Sequence, residues 1–258
     1  MVNMPTPQMC YKTNFLSKII LRADFSNNPL GQLSEKSTFS NAIASIFPHT
    51  EAKPLVETFV SISPDGIGGE QKRTGTQWDH RKEVDGTASV SLAPTFLALE
   101  YGPGDYFSFE GFQAEFTTLF NALTDNFGIA QIDRIGLRYI NEIRLPGRAM
   151  DWAGIIAANL ITSVKTSMLA EARLLRSMHQ VVQKSGHDQV VLNYGIVNPD
   201  YPAPVVQRHF ILDIDCSREG VIESGDALAC VKDLNTLATE IFEESIDNDL
   251  RQRMEIIR

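Results

Sequence analysis

Ile132-Asp133-Arg134-Ile135-Gly136-Leu137-Arg138-Tyr139-Ile140-Asn141-Glu142-Ile143-Arg144 is the stretch whose reading decides the fold. Successive side chains of a strand point to opposite faces, so residues two apart share a side. Ile135, Leu137, Tyr139 and Ile143 fall together on one face, with Asn141 among them. Gly136, Arg138, Ile140 and Glu142 fall on the other, mixed face. The stretch therefore reads as a long central strand, ended by Pro146-Gly147. Asn141 is the odd residue, because an amide on an apolar face needs hydrogen-bond partners once buried. Arg138 and Glu142 project the same way and can join a charge ladder with neighbouring strands.

Working outward, each half of the chain repeats one order. In the first half, residues 16–25 read as a strand, followed by a polar connection with Asn27, Asn28, Pro29 and Gly31. A short helix follows, with Phe39, Ile43, Ile46 and Phe47 on its apolar face and Pro48 as its stop. Strand-like runs cover 55–63, 76–84 and 88–101, the last broken or bent at Pro94. The loop from Pro64 to Gly69 and the Asp85-Gly86 pair punctuate them. Ser108 then caps a helix carrying Phe112, Phe116, Leu119, Phe120, Leu123 and Phe127, and Gly128 stops it.

In the second half, the central strand is followed by a helix expected to start at Asp151, with Trp152, Ile155, Ile156, Leu160 and Val164 inward. Strands are expected over 174–184, 189–197 and 205–216. A final helix carries Leu228, Val231, Leu234, Ala238, Ile241, Phe242 and Ile246. The expected fold is α+β: a duplicated β-α-β-β-β-α unit, mainly antiparallel, with helices packed on one face. The layout is analogous to TATA-binding-protein-like and helix-grip folds. Residues 1–10 read as a loose arm, 11–128 as the first repeat and 129–258 as the second, both within one compact domain.

Composition narrows the function classes. The net charge is −9 over 258 residues, which disfavours nucleic-acid binding, since that needs clustered Lys and Arg. Cys10, Cys216 and Cys230 are too few and too scattered for a disulfide framework, and none forms a CxxC pair. The five histidines show no HExxH spacing, and no metal site or cofactor is expected. No run reaches membrane-spanning length, and the N-terminal residues lack signal-peptide features. The expected location is the cytoplasm.

Leu137-Arg138-Tyr139-Ile140-Asn141 resembles the "LRYIN" strand of a sporadically distributed family of uncharacterised bacterial and archaeal proteins of about 250 residues. Trp78, Tyr106, Ser108, Phe112, Leu234, Phe242 and Met254 extend the resemblance, although Leu237-Ala238 stands where a Leu-His pair is expected. The resemblance implies no assigned activity, cofactor or catalytic residue. Its patchy distribution points towards defence or toxin–antitoxin roles.

Candidate site residues are Arg22, Arg138, Asn141, Glu142, His209 and Asp213. Under the duplication, Arg22 and Arg138 are counterparts that could flank a groove, bind an anion or pair with acids such as Glu142. His209, Asp213 and Asp215 share one strand face, where a base or metal site could form. No GxSxG occurs, the glycine-rich loops lack a phosphate-binding pattern, and Cys230 reads as a packing residue. The expected function is a non-enzymatic binding or regulatory protein whose acidic surface suits a basic protein partner. A homodimer is also compatible with the sequence. The alternative is an enzyme or sensor for a small anionic molecule bound between the repeats.

Overall fold

A computed structural model describes residues 10–26, 36–63, 66–164 and 173–257. The elements run β1 (Cys10–Tyr11), β2 (Leu16–Asp24), α1 (Lys36–Ile43), β3 (His49–Ser63), β4 (Gly66–Arg81), β5 (Ser89–Ala93), β6 (Phe96–Tyr101) and α2 (Phe109–Phe127). They continue with β7 (Gln131–Arg144), α3 (Ala158–Val164), β8 (Ser177–Ser185), β9 (Asp188–Ile196), β10 (His209–Glu223), α4 (Ala227–Ser245), α5 (Asn248–Met254) and β11 (Ile256–Ile257). The fold is mixed α+β. Nine strands form an antiparallel sheet hydrogen-bonded in the order β3-β4-β5-β6-β2-β7-β10-β9-β8, while β1 pairs with β11. Of the arm expected at residues 1–10, Cys10 instead lies in β1 opposite Ile257, and residues 1–9, the connection at 27–31 and the Pro64-Asp65 turn lie outside the described residues.

The chain divides into two compact units. One comprises Ile20–Ile135 and Glu219–Leu228, the other Met1–Ile19, Gly136–Arg218 and Ala229–Arg258.

In the first of these, α2 forms where the aromatic periodicity places it. Ser108 accepts the Gly111 amide at 3.2 Å, which satisfies one of the donors left over at a helix start. Gly128 takes the left-handed conformation, at φ 64°, and donates its amide to the Thr124 carbonyl at 2.8 Å. Phe112, Phe116, Leu119, Phe120 and Leu123 are buried, as are Phe39 and Ile43 of α1 and Val90, Leu92, Leu97 and Leu99 of the sheet. The run expected over 88–101 is two strands, not one. Pro94-Thr95 makes a turn, and β5 and β6 pair back on each other from Ala93↔Phe96 to Ser89↔Glu100. Proline supplies no amide to a ladder, so the run folds into a hairpin there. β3 and β4 are longer than the sequence pattern indicates and pair from His49↔Arg81 to Ser63↔Gly66. β5 joins β4 only over Trp78–Arg81.

The second unit carries β8, β9, α3, α5, the Gly136–Arg144 part of β7 and most of β10 and α4. Its core includes Leu137, Ile143, Trp152, Ile196, Phe210, Leu212, Ile214, Val231 and Leu234. The helix expected from Asp151 begins only at Ala158. Gly154 sits at φ 75°, a left-handed conformation that interrupts a right-handed helix. The backbone there binds elsewhere: the Asp249 amide donates to Gly154 O and the Asp247 amide to Ile155 O, each at 2.9 Å. Ile156 forms an isolated bridge with Ile246. Trp152 is nevertheless buried, its ring 5.3 Å from that of Phe210 and its Nε1–H donated to Ala149 O at 2.8 Å.

Candidate functional site

β7, β10, β9 and β8 present two unlike faces in the second unit. Leu137, Asn141 and Ile143 are buried, and Tyr139 Oη donates to Asn235 of α4 at 2.7 Å. Asn141 is 6 % exposed, and its Nδ2 donates to the Leu212 carbonyl at 3.3 Å. The buried amide thus finds a backbone partner, as burial requires.

The opposite face carries a transverse polar ladder. Arg138 of β7 binds Asp213 of β10 side-on, donating from Nε to Oδ1 and from Nη2 to Oδ2, each at 2.7 Å. Asn193 of β9, which pairs with Asp213 in the register, donates to Oδ2 at 3.1 Å. Gln180 of β8, in register with Asn193, donates to its Oδ1 at 2.8 Å. The Arg138 side chain is 39 % exposed and that of Asp213 only 7 %. The carboxylate is therefore enclosed while its guanidinium partner still meets solvent. Partial solvation limits the pair to about 1 kcal/mol despite its two-pronged geometry. Asp213 holds the Arg138 guanidinium even more firmly protonated than usual through hydrogen bonding, against the opposing effect of burial.

A second cluster lies further along the same two strands. Arg144 donates to Glu142 through Nη2 and to His209 Nε2 through Nε, the latter at 3.4 Å. His209 Nε2 also lies 3.2 Å from Glu142 Oε2. One ring nitrogen cannot both accept from Arg144 and donate to Glu142. Burial pushes the His209 pKa down, and the Arg144 charge adds to that. The neutral ring therefore accepts from Arg144, and carboxylate and imidazole share one guanidinium.

The unfolded chain binds more protons than the native one between the lowered native pKa and the usual histidine value. This part of the stability is complete above about pH 6.5 and is lost as pH falls from there through the lowered native value. His209→Gln should accordingly flatten the acid side of the stability profile. Urea midpoints at neutral pH and near pH 5 check this, and equal acid slopes in both proteins would contradict it.

The sequence candidates thus separate into clusters. Arg138 and Asp213 meet, Glu142 and His209 meet, and Asn141 lies on the buried side. His209 and Asp213 share a face, but four residues of strand place them about 13 Å apart, too far to act as a dyad. Arg138 pairs with Asp213 rather than Glu142. Arg22 belongs to the other unit, where its Nε donates to Asp24 at 2.7 Å and its guanidinium lies 3.9 Å from the Phe96 ring centre. Sequence reasoning missed Asn193, Gln180 and Arg144, the first two because only the strand register brings them to Asp213.

Burial pushes the Cys216 thiol up to about 12, which leaves it protonated and a poor nucleophile. Among the described residues, no three His, Cys, Asp or Glu side chains converge as metal ligands. No described helix is long and apolar enough to cross a membrane.

The ladder ends at β8, which with β3 is one of the two terminal strands of the sheet order. Met178 is 39 % and Val182 56 % exposed on the same side as Gln180, and Leu175 just before the strand is also exposed. Comparison with family models, curated proteins and solved structures yields no match.

Proposed function

We propose that this is a non-enzymatic binding or regulatory protein that holds a protein partner along β8. The observation that carries the reading is a terminal strand with exposed Met178 and Val182. Natural proteins usually blunt such edges, because their outward N–H and C=O groups template pairing with another chain. The adjoining polar face supports the same reading: Arg138 is committed to Asp213 and Arg144 to Glu142, an arrangement suited to a fixed recognition surface.

A duplicated core belongs to this proposal. β7-α3-β8-β9-β10-α4 follows the order of β2-α1-β3-β4-β5-β6-α2 with one strand fewer. The analogy to TATA-binding-protein-like and helix-grip layouts rests on that order alone. Membership of the family that residues 137–141 resemble, and an antitoxin- or immunity-type role acting by stoichiometric capture, complete the reading.

Val182→Glu places a charge on the exposed face without touching the core. Purified gently from its host, this variant should lose a protein that co-purifies with the unsubstituted chain. Val84→Glu, at an exposed apolar position outside β8, should retain it. Equal retention by both variants would refute the edge reading.

A further inference from the structure

We infer that the partner segment taken by β8 is an extended acidic peptide with apolar residues at alternate-face positions. This rests on the proposed use of the β8 edge and goes beyond it by fixing the chemistry of the occupant. The chain as a whole carries −9, which favours basic partners in general. The edge is locally the reverse. From 173 to 187 there is no carboxylate, while Arg173, Arg176 and Lys184 are all exposed. Two nearby acids are already engaged, Asp188 with Arg218 at 2.6 Å and Asp213 with Arg138.

Alternation places Arg176, Met178, Gln180, Val182 and Lys184 on one side. Along the edge this side reads basic, apolar, amide, apolar, basic. Directly opposed side chains on paired strands interact, and like charges there destabilise. A complementary strand therefore reads acidic, apolar, polar, apolar, acidic.

The same pattern disfavours a second copy of this chain. Antiparallel self-pairing centred on Gln180 would match Met178 with Val182 of the other copy, but it would set Arg176 against Lys184 at both ends. Shifting the centre to Val181 relieves that clash and sets Met178 against Lys184 instead, which loses the apolar match. Charge and apolar complementarity are satisfied together by an acidic strand and not by self-pairing.

The test uses the full chain, isotope-labelled for amide NMR, and a synthetic peptide. The peptide's alternate residues are glutamate, valine, glutamine, valine, glutamate, with threonine between. The control carries lysine in place of both glutamates. The acidic peptide should shift amides of residues 177–185 and bind about tenfold tighter than the control, from two exposed charge pairs turned from attractive to repulsive. Added salt should erode the difference. The double variant R176E/K184E, altered only at exposed positions, should invert the preference. If both peptides bind β8 equally, or the basic one binds better, the acidic-partner inference fails while the edge reading stands. Concentration-dependent shifts of β8 amides without peptide would likewise overturn it in favour of a second copy. If no peptide and no self-association perturbs β8, the edge reading fails with it.

Discussion

Gly195→Ala should detach β8 from the sheet. Gly195 lies opposite Met178 in the β8–β9 register, with φ at 151°. A Cβ there would fall deep inside the van der Waals radius of the Ser177 backbone oxygen and 3.0 Å from the Met178 Cα. Both obstacles are backbone, so no rotamer change relieves them, and the two strands must separate at this point. The expected loss is about 3 kcal/mol, typical of severe overpacking. In a chain of this size that corresponds to a fall in melting temperature of roughly 6–12 °C. Amide protection along β8 should drop selectively, while the β3–β6 strands of the other unit keep theirs. An unchanged melting temperature with intact β8 protection would contradict the close approach of β8 and β9.

Trp152→Ala should cost about 3–5 kcal/mol, the range for emptying a large buried aromatic site. Trp152 is fully buried, packs on Phe210, covers the Arg208 guanidinium at 5.2 Å and ties down its own loop through Ala149. Refilling is difficult, because the flanking segment is already fixed by the Gly154 and Ile155 carbonyl bonds to the amides of Asp249 and Asp247. Trp152→Phe keeps most of the ring volume and loses the indole hydrogen bond, so it should cost clearly less. Chemical denaturation of the three proteins checks the ranking. A loss below about 1 kcal/mol for the alanine variant would place Trp152 outside the core.

How much was legible in the sequence follows from how local each signal is. The central strand and α2 are written in short-range terms. A period of two brings Leu137, Asn141 and Ile143 to one side, and Ser108 and Gly128 act within one turn of the helix they delimit. The helix expected at Asp151 failed for a non-local reason: Gly154 and Ile155 give their carbonyls to a segment almost a hundred residues further along. Pro94 signalled an interruption, but whether it bends a strand or reverses it depends on what lies alongside.

The site shows the same division. That Arg138 and Glu142 share a face was readable from alternation. That Arg138 binds Asp213, and that Asn193 and Gln180 extend the ladder, depends on β10 lying between β7 and β9. Alternation gives faces, and strand order, which sets partners, follows from long-range pairing.

The central claim, that β8 offers an open edge for a partner, is tested most directly by residue-resolved hydrogen exchange of the unliganded chain. Along an edge strand only every second amide is bonded to its neighbour. The account expects alternating protection through residues 177–185, with one set slowed by β9 and the other exchanging nearly freely. Uniform protection of all these amides would mean that the outer edge is already covered, and would contradict the claim.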